Sequence, residues 1–269
     1  MSPTGTYQPT EPTTPAQHPL TALIVGASRG LGHGMAAELL DRGWDVIGTV
    51  RDPAARTPLH DLADACARAA GDAHAAGEAH TTGRLTVEQL DVTDPAALPP
   101  LHDRLAESLA DRRLDVLFVN AGTTTAEQKP IGEVTTEEFT EVMVTNALGP
   151  IRVIDALEDL VSPTGLIGAM SSGQGSIANN TTGGREVYRA SKAALNMFLR
   201  SFAARQEQAE QVRRAVVLLA PGWIRTALGG PEAPYTLAES VPLVVDVLLS
   251  RLGTPGLAYL DRFGKTVPW

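Results

Sequence analysis

Tyr188 and Lys192 stand four residues apart in the run Tyr188-Arg189-Ala190-Ser191-Lys192. On a helix that spacing puts both side chains on one face. A free tyrosine has a pKa of about 10 and moves protons poorly near neutrality. An ammonium beside the ring favours the phenolate and lowers that value. The pair can then give a proton to a developing alkoxide or take one from an alcohol. The spacing alone is common by chance; its surroundings give it weight.

Ser171-Ser172-Gly173-Gln174-Gly175 follows an apolar run. A Ser172 hydroxyl there can donate to a carbonyl oxygen and stabilise its charge. Asn120-Ala121-Gly122 closes another apolar run, where small residues let a ligand approach closely. Asp91, in Leu90-Asp91-Val92, is placed to accept from an adenine amino group. Asn146 falls within a helical stretch, where Asn is a mediocre residue. It reads either as a surface or interface polar group or as the anchor of a water beside Lys192.

Near the start, Gly26-Ala27-Ser28-Arg29-Gly30-Leu31-Gly32 joins an apolar run directly to a helical pattern. Glycines permit the tight turn and let backbone approach a pyrophosphate, and a helix N-terminus offers free N–H groups. A carboxylate after the second strand would hold the ribose hydroxyls of NAD and repel a 2′-phosphate. Here that strand ends Gly48-Thr49-Val50-Arg51, with Arg29 projecting toward the same place. Two guanidiniums suit a phosphate dianion, so NADP(H) is the expected cofactor. Asp52 is the complication, because a shift of one residue would put a carboxylate there.

These groups need a frame that brings loop ends together. Apolar runs and helical patterns alternate along the chain. Leu20–Val25, Asp45–Val50, Leu85–Leu90, Leu114–Asn120, Leu166–Met170, Ala215–Leu219 and Leu257–Leu260 read as strands. Leu31–Arg42, Pro95–Ala110, Thr136–Leu160, Glu186–Gln208 and Leu237–Leu252 read as helices. Ala54–Ala79 reads as helical in its first half and as a loose connection in its second, which carries Gly71 and Gly77. Such alternation predicts an α/β fold: a doubly wound parallel sheet with helices on both faces. Ligands then sit beyond the carboxyl ends of the strands. Residues 20–269 read as one domain, preceded by a Thr- and Pro-rich tail over 1–19 that is expected to be disordered.

Composition narrows the function classes. The chain has 269 residues, 43% of them hydrophobic, which suffices for a large core. A net charge of −9 disfavours nucleic acid and anionic membranes as partners. No apolar run reaches a membrane span, and the first residues lack the pattern of a secretory signal. Cys66 is the one cysteine, so no intrachain disulfide forms, which fits a reducing, cytoplasmic location. No metal site is expected.

Taken together and in order, these marks resemble the short-chain dehydrogenase/reductase family over nearly all of residues 20 to 269. They include Pro221-Gly222-Trp223-Ile224-Arg225-Thr226 beside the segments already named. The resemblance implies a Rossmann-like fold and hydride transfer between a nicotinamide and a ketone, aldehyde or secondary alcohol. It makes Tyr188 the acid–base group, Lys192 its modulator and a ribose ligand, Ser172 the carbonyl-oxygen donor and Asn146 the holder of a relay water. It adds Pro221, Gly222, Ile224 and Thr226 to the cofactor contacts, with Ile224 and Thr226 at the nicotinamide end. It also implies a homodimer or homotetramer packed through the helices around Pro95–Ala110 and Thr136–Leu160.

Val25 stands where the family often has Thr. The stretch between Ser172 and Tyr188 is longer than in many members. With the ending Phe263-Gly264-Lys265-Thr266-Val267-Pro268-Trp269, it is similar to the C-factor-like branch, which holds carbonyl reductases and a protein associated with intercellular signalling. The segment from Arg225 to Ser240 is short and reads as the lid of an open, permissive pocket. Gln174, Arg185, Trp223 and Tyr235 are candidates to line it. A non-enzymatic NADP-binding signalling protein, or an epimerase or dehydratase using the same site, are the alternatives.

Overall fold

The computed structural model describes residues 18–52, 54–76, 83–125, 129–209 and 213–269. Apart from residues 18 and 19, the expected tail lies outside the described residues.

Strand β1 (Thr21–Val25) is buried at every position. It pairs in parallel with β2 (Asp45–Val50) on one side and β4 (Leu114–Val119) on the other. With both faces covered, a strand has no reason to alternate polar and apolar residues, and Thr-Ala-Leu-Ile-Val does not. Leu23 and Val25 point into one core layer, Ala22 and Ile24 into the other. The remaining strands are β3 (Leu85–Gln89), β5 (Val161–Met170), β6 (Ala215–Ala220) and β7 (Gly256–Asp261). They form one seven-stranded sheet in the order β3-β2-β1-β4-β5-β6-β7, with every neighbouring pair parallel. This is the doubly wound sheet expected. The winding reverses between β1 and β4, which opens a crevice at their carboxyl ends.

Helices α1 (Gly30–Asp41) and α7 (Leu237–Ser250) pack together on one face, through Met35, Leu39, Val241 and Val244. On the other face lie α3 (Leu98–Leu109), α5 (Gly149–Leu157) and α6 (Glu186–Glu207), through Leu101, Leu105, Val153, Leu195 and Leu199. Each such fully buried Leu or Val contributes roughly 1.5–3 kcal/mol relative to exposure. Among the described residues, no helix is long and apolar enough to cross a membrane.

Three boundaries depart from the sequence reading. Helix α2 spans Pro58–Ala76, so it starts later than expected and runs straight through Gly71. Proline suits the first helical position, and the alanines around Gly71 outweigh the cost of one glycine. The second half of that segment is therefore helical up to Ala76, and residues 77–82 lie outside the described residues. The expected helix 136–160 is segmented: α4 (Thr136–Met143), a π turn (Val144–Leu148), α5, then a 3-10 turn (Glu158–Leu160). Strand β5 begins at Val161 rather than Leu166. Pro163 and Gly165 lie inside it, and Val161 pairs with Leu114 across an irregularity in the β4–β5 register.

Two glycines behave oppositely when filled. A Cβ on Gly32 would stand 2.2 Å from the Gly26 carbonyl oxygen and 2.5 Å from Asn120 Nδ2, whereas one on Gly71 meets nothing within 4 Å. Gly71→Ala should therefore stabilise the fold by about 1 kcal/mol and raise Tm by roughly 2–4 °C. Gly32→Ala should destabilise it by about 3 kcal/mol or more. Thermal unfolding of both variants checks this, and a destabilised Gly71→Ala protein would contradict the extended α2.

Candidate active site

The loop from β1 to α1 is fixed by its neighbours. Gly26 N–H donates to Thr49 Oγ1 at 2.9 Å, and Ala27 N–H to the Thr49 carbonyl at 3.0 Å. Asn120 Nδ2 donates to the Gly26 carbonyl at 2.9 Å, while Asn120 and Ala121 N–H both reach Val25 O. Asn120 and Ala121 thus clamp the glycine turn, and Thr226 lies against it, 3.7 Å from where a Gly30 Cβ would be. Helices α4 and α7 carry full capping boxes, from Thr135/Glu138 and Thr236/Glu239. Helix α1 has none: Arg29 occupies the N-cap and caps nothing. The first N–H groups of α1, beside Ser28, Gly30, Leu31 and Gly32, are left for an anion.

Arg29 and Arg51 are exposed and make no ion pair among the described residues. Asp52 Oδ1 accepts from Ala54 N–H at 2.9 Å. Arg29 and Arg51 outnumber this carboxylate, so the three residues together carry a positive formal charge. Asp91 Oδ1 accepts from Thr93 N–H and Oγ1 at 2.9 and 2.7 Å, which sets the carboxylate over buried Val92.

Lys192 is the unusual group. It is 3% exposed, and its Nζ donates to the Met170 carbonyl at 2.9 Å, at the end of β5. Nζ stands 5.9 Å from the centre of the Tyr188 ring. Asn146 is fully buried in the π turn. Its Oδ1 accepts from Thr123 N–H at 2.7 Å, and its Nδ2 donates to Thr123 O at 2.8 Å and Ser191 Oγ at 3.0 Å. The Asn146 side chain thus joins the loop after β4 to α6. Gly122 fits between the two: a Cβ there would stand 3.4 Å from Asn146 Oδ1 and 3.5 Å from Lys192 Nζ.

Ser172 follows β5 and caps a short turn, its Oγ accepting from Gln174 N–H at 3.1 Å. Because Oγ already accepts there, its own proton can be directed outward. The turn presses on α6 so closely that a Cβ on Gly175 would be 2.9 Å from Lys192 Cβ. Asn146, Ser172, Tyr188 and Lys192 are thereby carried on elements that touch one another.

The candidates for the pocket divide. Arg185, in the left-handed region at φ 56°, holds its guanidinium 5.8 Å from the Tyr188 ring centre. It follows Gly183 and Gly184, also at positive φ, and Arg189 secures that turn through both glycine carbonyls. Gln174 lies beside Ser172, with Oε1 buried and without a hydrogen-bond partner among the described residues. Trp223 and Tyr235 belong to the segment that the sequence suggests as a lid. Trp223 Nε1 donates to Gly229 O at 2.6 Å, Arg225 N–H to Tyr235 O at 2.8 Å, and Ile224 bridges Tyr235. The lid is tied to itself as well as short. Pro221 and Gly222 lead into it from β6, and Arg262 lies against Gly222, its guanidinium 3.4 Å from the Tyr235 ring centre.

Sequence reasoning missed Ser191, Asn196, Tyr259 and Arg262. Ser191 was within reach, since it lies on the Tyr188 helix between the two named residues. Asn196 and Tyr259 are single polar residues in apolar runs, and Arg262 sits in a mixed stretch, with no spacing to mark any of them.

A family model described as short chain dehydrogenase matches residues 20–234. A 1-hydroxy-2-glutathionyl-2-methyl-3-butene dehydrogenase of Rhodococcus sp. (strain AD45) is 33% identical over 209 residues, covering 77% of this chain and 79% of that protein. A solved short-chain dehydrogenase/reductase of Burkholderia multivorans with bound NADP is 54% identical, with a TM-score of 0.80, covering 94% of this chain and 100% of that one. A carbonyl reductase of Pseudomonas aeruginosa PAO1 in complex with NADP is 33% identical, with a TM-score of 0.76 and the same coverage.

Burial alone pushes the Lys192 ammonium from its ordinary 10.5 down to about 8. Below pH 8 both folded and unfolded chains hold the proton, and the folded state bears the full cost of burying it. Between about 8 and 10.5 only the unfolded chain keeps the proton, so stability rises with pH in that window. Relative to Lys192→Met, the wild type should be at its weakest near pH 7 and gain on the order of 2–3 kcal/mol by about pH 10. Urea unfolding of both proteins across that range measures the difference. A gap that does not change with pH would contradict a buried ammonium.

Proposed function

The chain belongs to the short-chain dehydrogenase family, and we propose that it is an NADP(H)-dependent carbonyl reductase in which Tyr188 passes the proton. It is an oxidoreductase of small carbonyl or alcohol substrates. The observation that carries the catalytic assignment is the joint placement of Tyr188, Lys192, Asn146 and the Ser172 turn at the carboxyl edge of β4 and β5.

The chain's own groups fit the cofactor. The uncapped start of α1 suits its pyrophosphate. Unpaired Arg29 and Arg51 suit a 2′-phosphate and favour NADPH over NADH. Asp91 suits the adenine, and Asn120, Ala121 and Gly122 keep the crevice narrow. When bound, NADPH supplies the hydride to the carbonyl carbon.

Everything else in the reaction falls to the chain. Ser172 Oγ, held by Gln174 N–H, donates to the substrate oxygen and fixes its position. Tyr188 donates its phenolic proton to that oxygen as charge develops on it, and in the oxidation of an alcohol it takes the proton back. The Lys192 ammonium lies close enough to the ring to stabilise the phenolate left behind. Asn146 holds the loop carrying Gly122 against α6, which sets the distance between Lys192 and the crevice. A protein that only held the cofactor would need no proton-transfer pair. Gln174, Arg185, Trp223 and Tyr235 border the substrate, a ketone or aldehyde of modest size.

Consumption of NADPH with a panel of ketones and aldehydes tests the activity. Turnover should exceed background for some members, with NADPH bound at least about tenfold more tightly than NADH, as two charge-assisted contacts warrant. Tyr188→Phe should lower kcat by about a hundredfold or more and leave NADPH affinity within a few fold. Tighter binding of NADH, or a Phe variant as active as the wild type, would overturn the assignment.

A further inference from the structure

Beneath Ser172 lies a polar network that takes no part in the proton transfer. Its centre is Tyr259 on β7, 2% exposed. The Tyr259 hydroxyl donates to the Ser172 carbonyl and lies beside the Ser171 and Asn196 side chains. Ser171 Oγ donates to Asn196 Oδ1 at 2.6 Å, and Asn196 Nδ2 donates to Gly175 O at 3.2 Å. Gly175 N–H returns to the Ser172 carbonyl at 2.8 Å. The turn holding Ser172 is thus gripped from below by β7 and α6 together.

Trp269 extends the grip. Its ring packs on Tyr259 with centroids 5.4 Å apart, and its carbonyl accepts from Ala178 N–H at 2.9 Å. Arg200, from α6, lies 5.0 Å over the same indole. The first residue of the turn is held by Tyr259 and its far end by Trp269.

A buried hydroxyl costs stability unless it is hydrogen-bonded, and phenylalanine would fill the same space without that demand. What the hydroxyl adds is orientation. Ser172 has one carbonyl and one Oγ, and both are bound within the turn: the carbonyl by Tyr259 and Gly175, the Oγ by Gln174 N–H. Rotating the Ser172–Gly173 peptide would break the first pair and move the Gln174 N–H that aims the second. Burial raises the Tyr259 phenol above its ordinary value, so it stays a donor across the whole neutral range.

We propose that Tyr259, braced by Trp269, is a positioning residue that holds the Ser172 hydroxyl toward the substrate oxygen. The proposal rests on the reading of Ser172 as the carbonyl-oxygen donor.

Tyr259→Phe removes one oxygen and keeps the ring. It should lower kcat about tenfold, while KM for NADPH stays within about twofold. In a Ser172→Ala background the same change should cost less than about twofold, because the group it positions is gone. Hydrogen exchange should quicken in the amides of residues 173–178 and not in β4 or β6. Trp269→Ala should act in the same direction, and Trp269→Phe should restore most of the lost activity. An equal loss in both backgrounds would mean that Tyr259 does not work through Ser172. Unchanged exchange at 173–178, or a kcat within twofold of wild type, would also overturn the proposal. If Ser172→Ala itself keeps full turnover, the reading of Ser172 fails instead, and the exchange measurement still decides whether Tyr259 orders the turn.

Discussion

The constraint on which the site depends is the burial of one ammonium. Lys192 carries its charge into a place where desolvation is the only influence large enough to move its pKa, and its hydrogen bond is to a backbone carbonyl. A buried cation without a carboxylate partner costs several kcal/mol. Its surroundings are correspondingly specific. Met170 must end β5 with its carbonyl aimed at α6, and Gly175 must lack a side chain for its turn to close on the lysine. The same burial leaves the charge little screened by water, 5.9 Å from the centre of the Tyr188 ring.

Asn146 shows how the helical layer answers that demand. Within a regular helix every backbone group is used internally, and a polar side chain has no fixed task. The π turn at Val144–Leu148 breaks that regularity at one point, where Asn146 meets both Thr123 and Ser191. A π turn inserted in a helix is seldom stable without such compensation, and it commonly marks a functional site. Here it registers the loop after β4 against α6 and hence Gly122 against Lys192. Gly149, which follows the turn, is packed too tightly for any side chain, since a Cβ would lie 2.5 Å from Val92 O. The π turn is therefore also tied to the edge of the crevice where Asp91 sits.

Most of this frame was legible in the sequence because sheet strands buried on both faces must be apolar throughout. Leu20–Val25 and Leu114–Asn120 could be read in that way, and with them the loops at their carboxyl ends. Gly71 misled, because a breaker residue reports a local preference that neighbouring alanines can override. The candidate residues were legible wherever two of them shared a helix face or followed a strand. Tyr259 and Asn196 were not, since their partners lie 87 and 25 residues away. A contact of that separation leaves no period in the chain. The role of Asn146 was half legible: its presence in a helix was odd, but the local π geometry that gives it work is a property of the packed fold.

The lid raises a different kind of constraint. Its hydrogen bonds are largely internal, from Trp223 Nε1 to Gly229 O, from Gly229 N–H to Thr226 Oγ1 and from Arg225 Nε to Ala233 O. Its other support is aromatic. The Arg262 guanidinium lies 3.4 Å from the centre of the Tyr235 ring and 4.7 Å from that of Phe263, and its buried Nε and Nη1 have no hydrogen-bond partner among the described residues. Such stacking holds a cation without fixing direction as strictly as hydrogen bonds do. A substrate that meets Trp223 and Tyr235 there meets rings, both partly exposed, rather than a set of aimed polar groups. Apolar walls discriminate weakly, about 1–3 kcal/mol per methylene. The tight geometry is concentrated instead around Ser172, where every backbone partner of the turn is specified. On the proposed reading, selectivity for the reacting carbonyl would come from a hydrogen-bonded turn and selectivity for the rest of the substrate from stacked rings, two different materials in one chain.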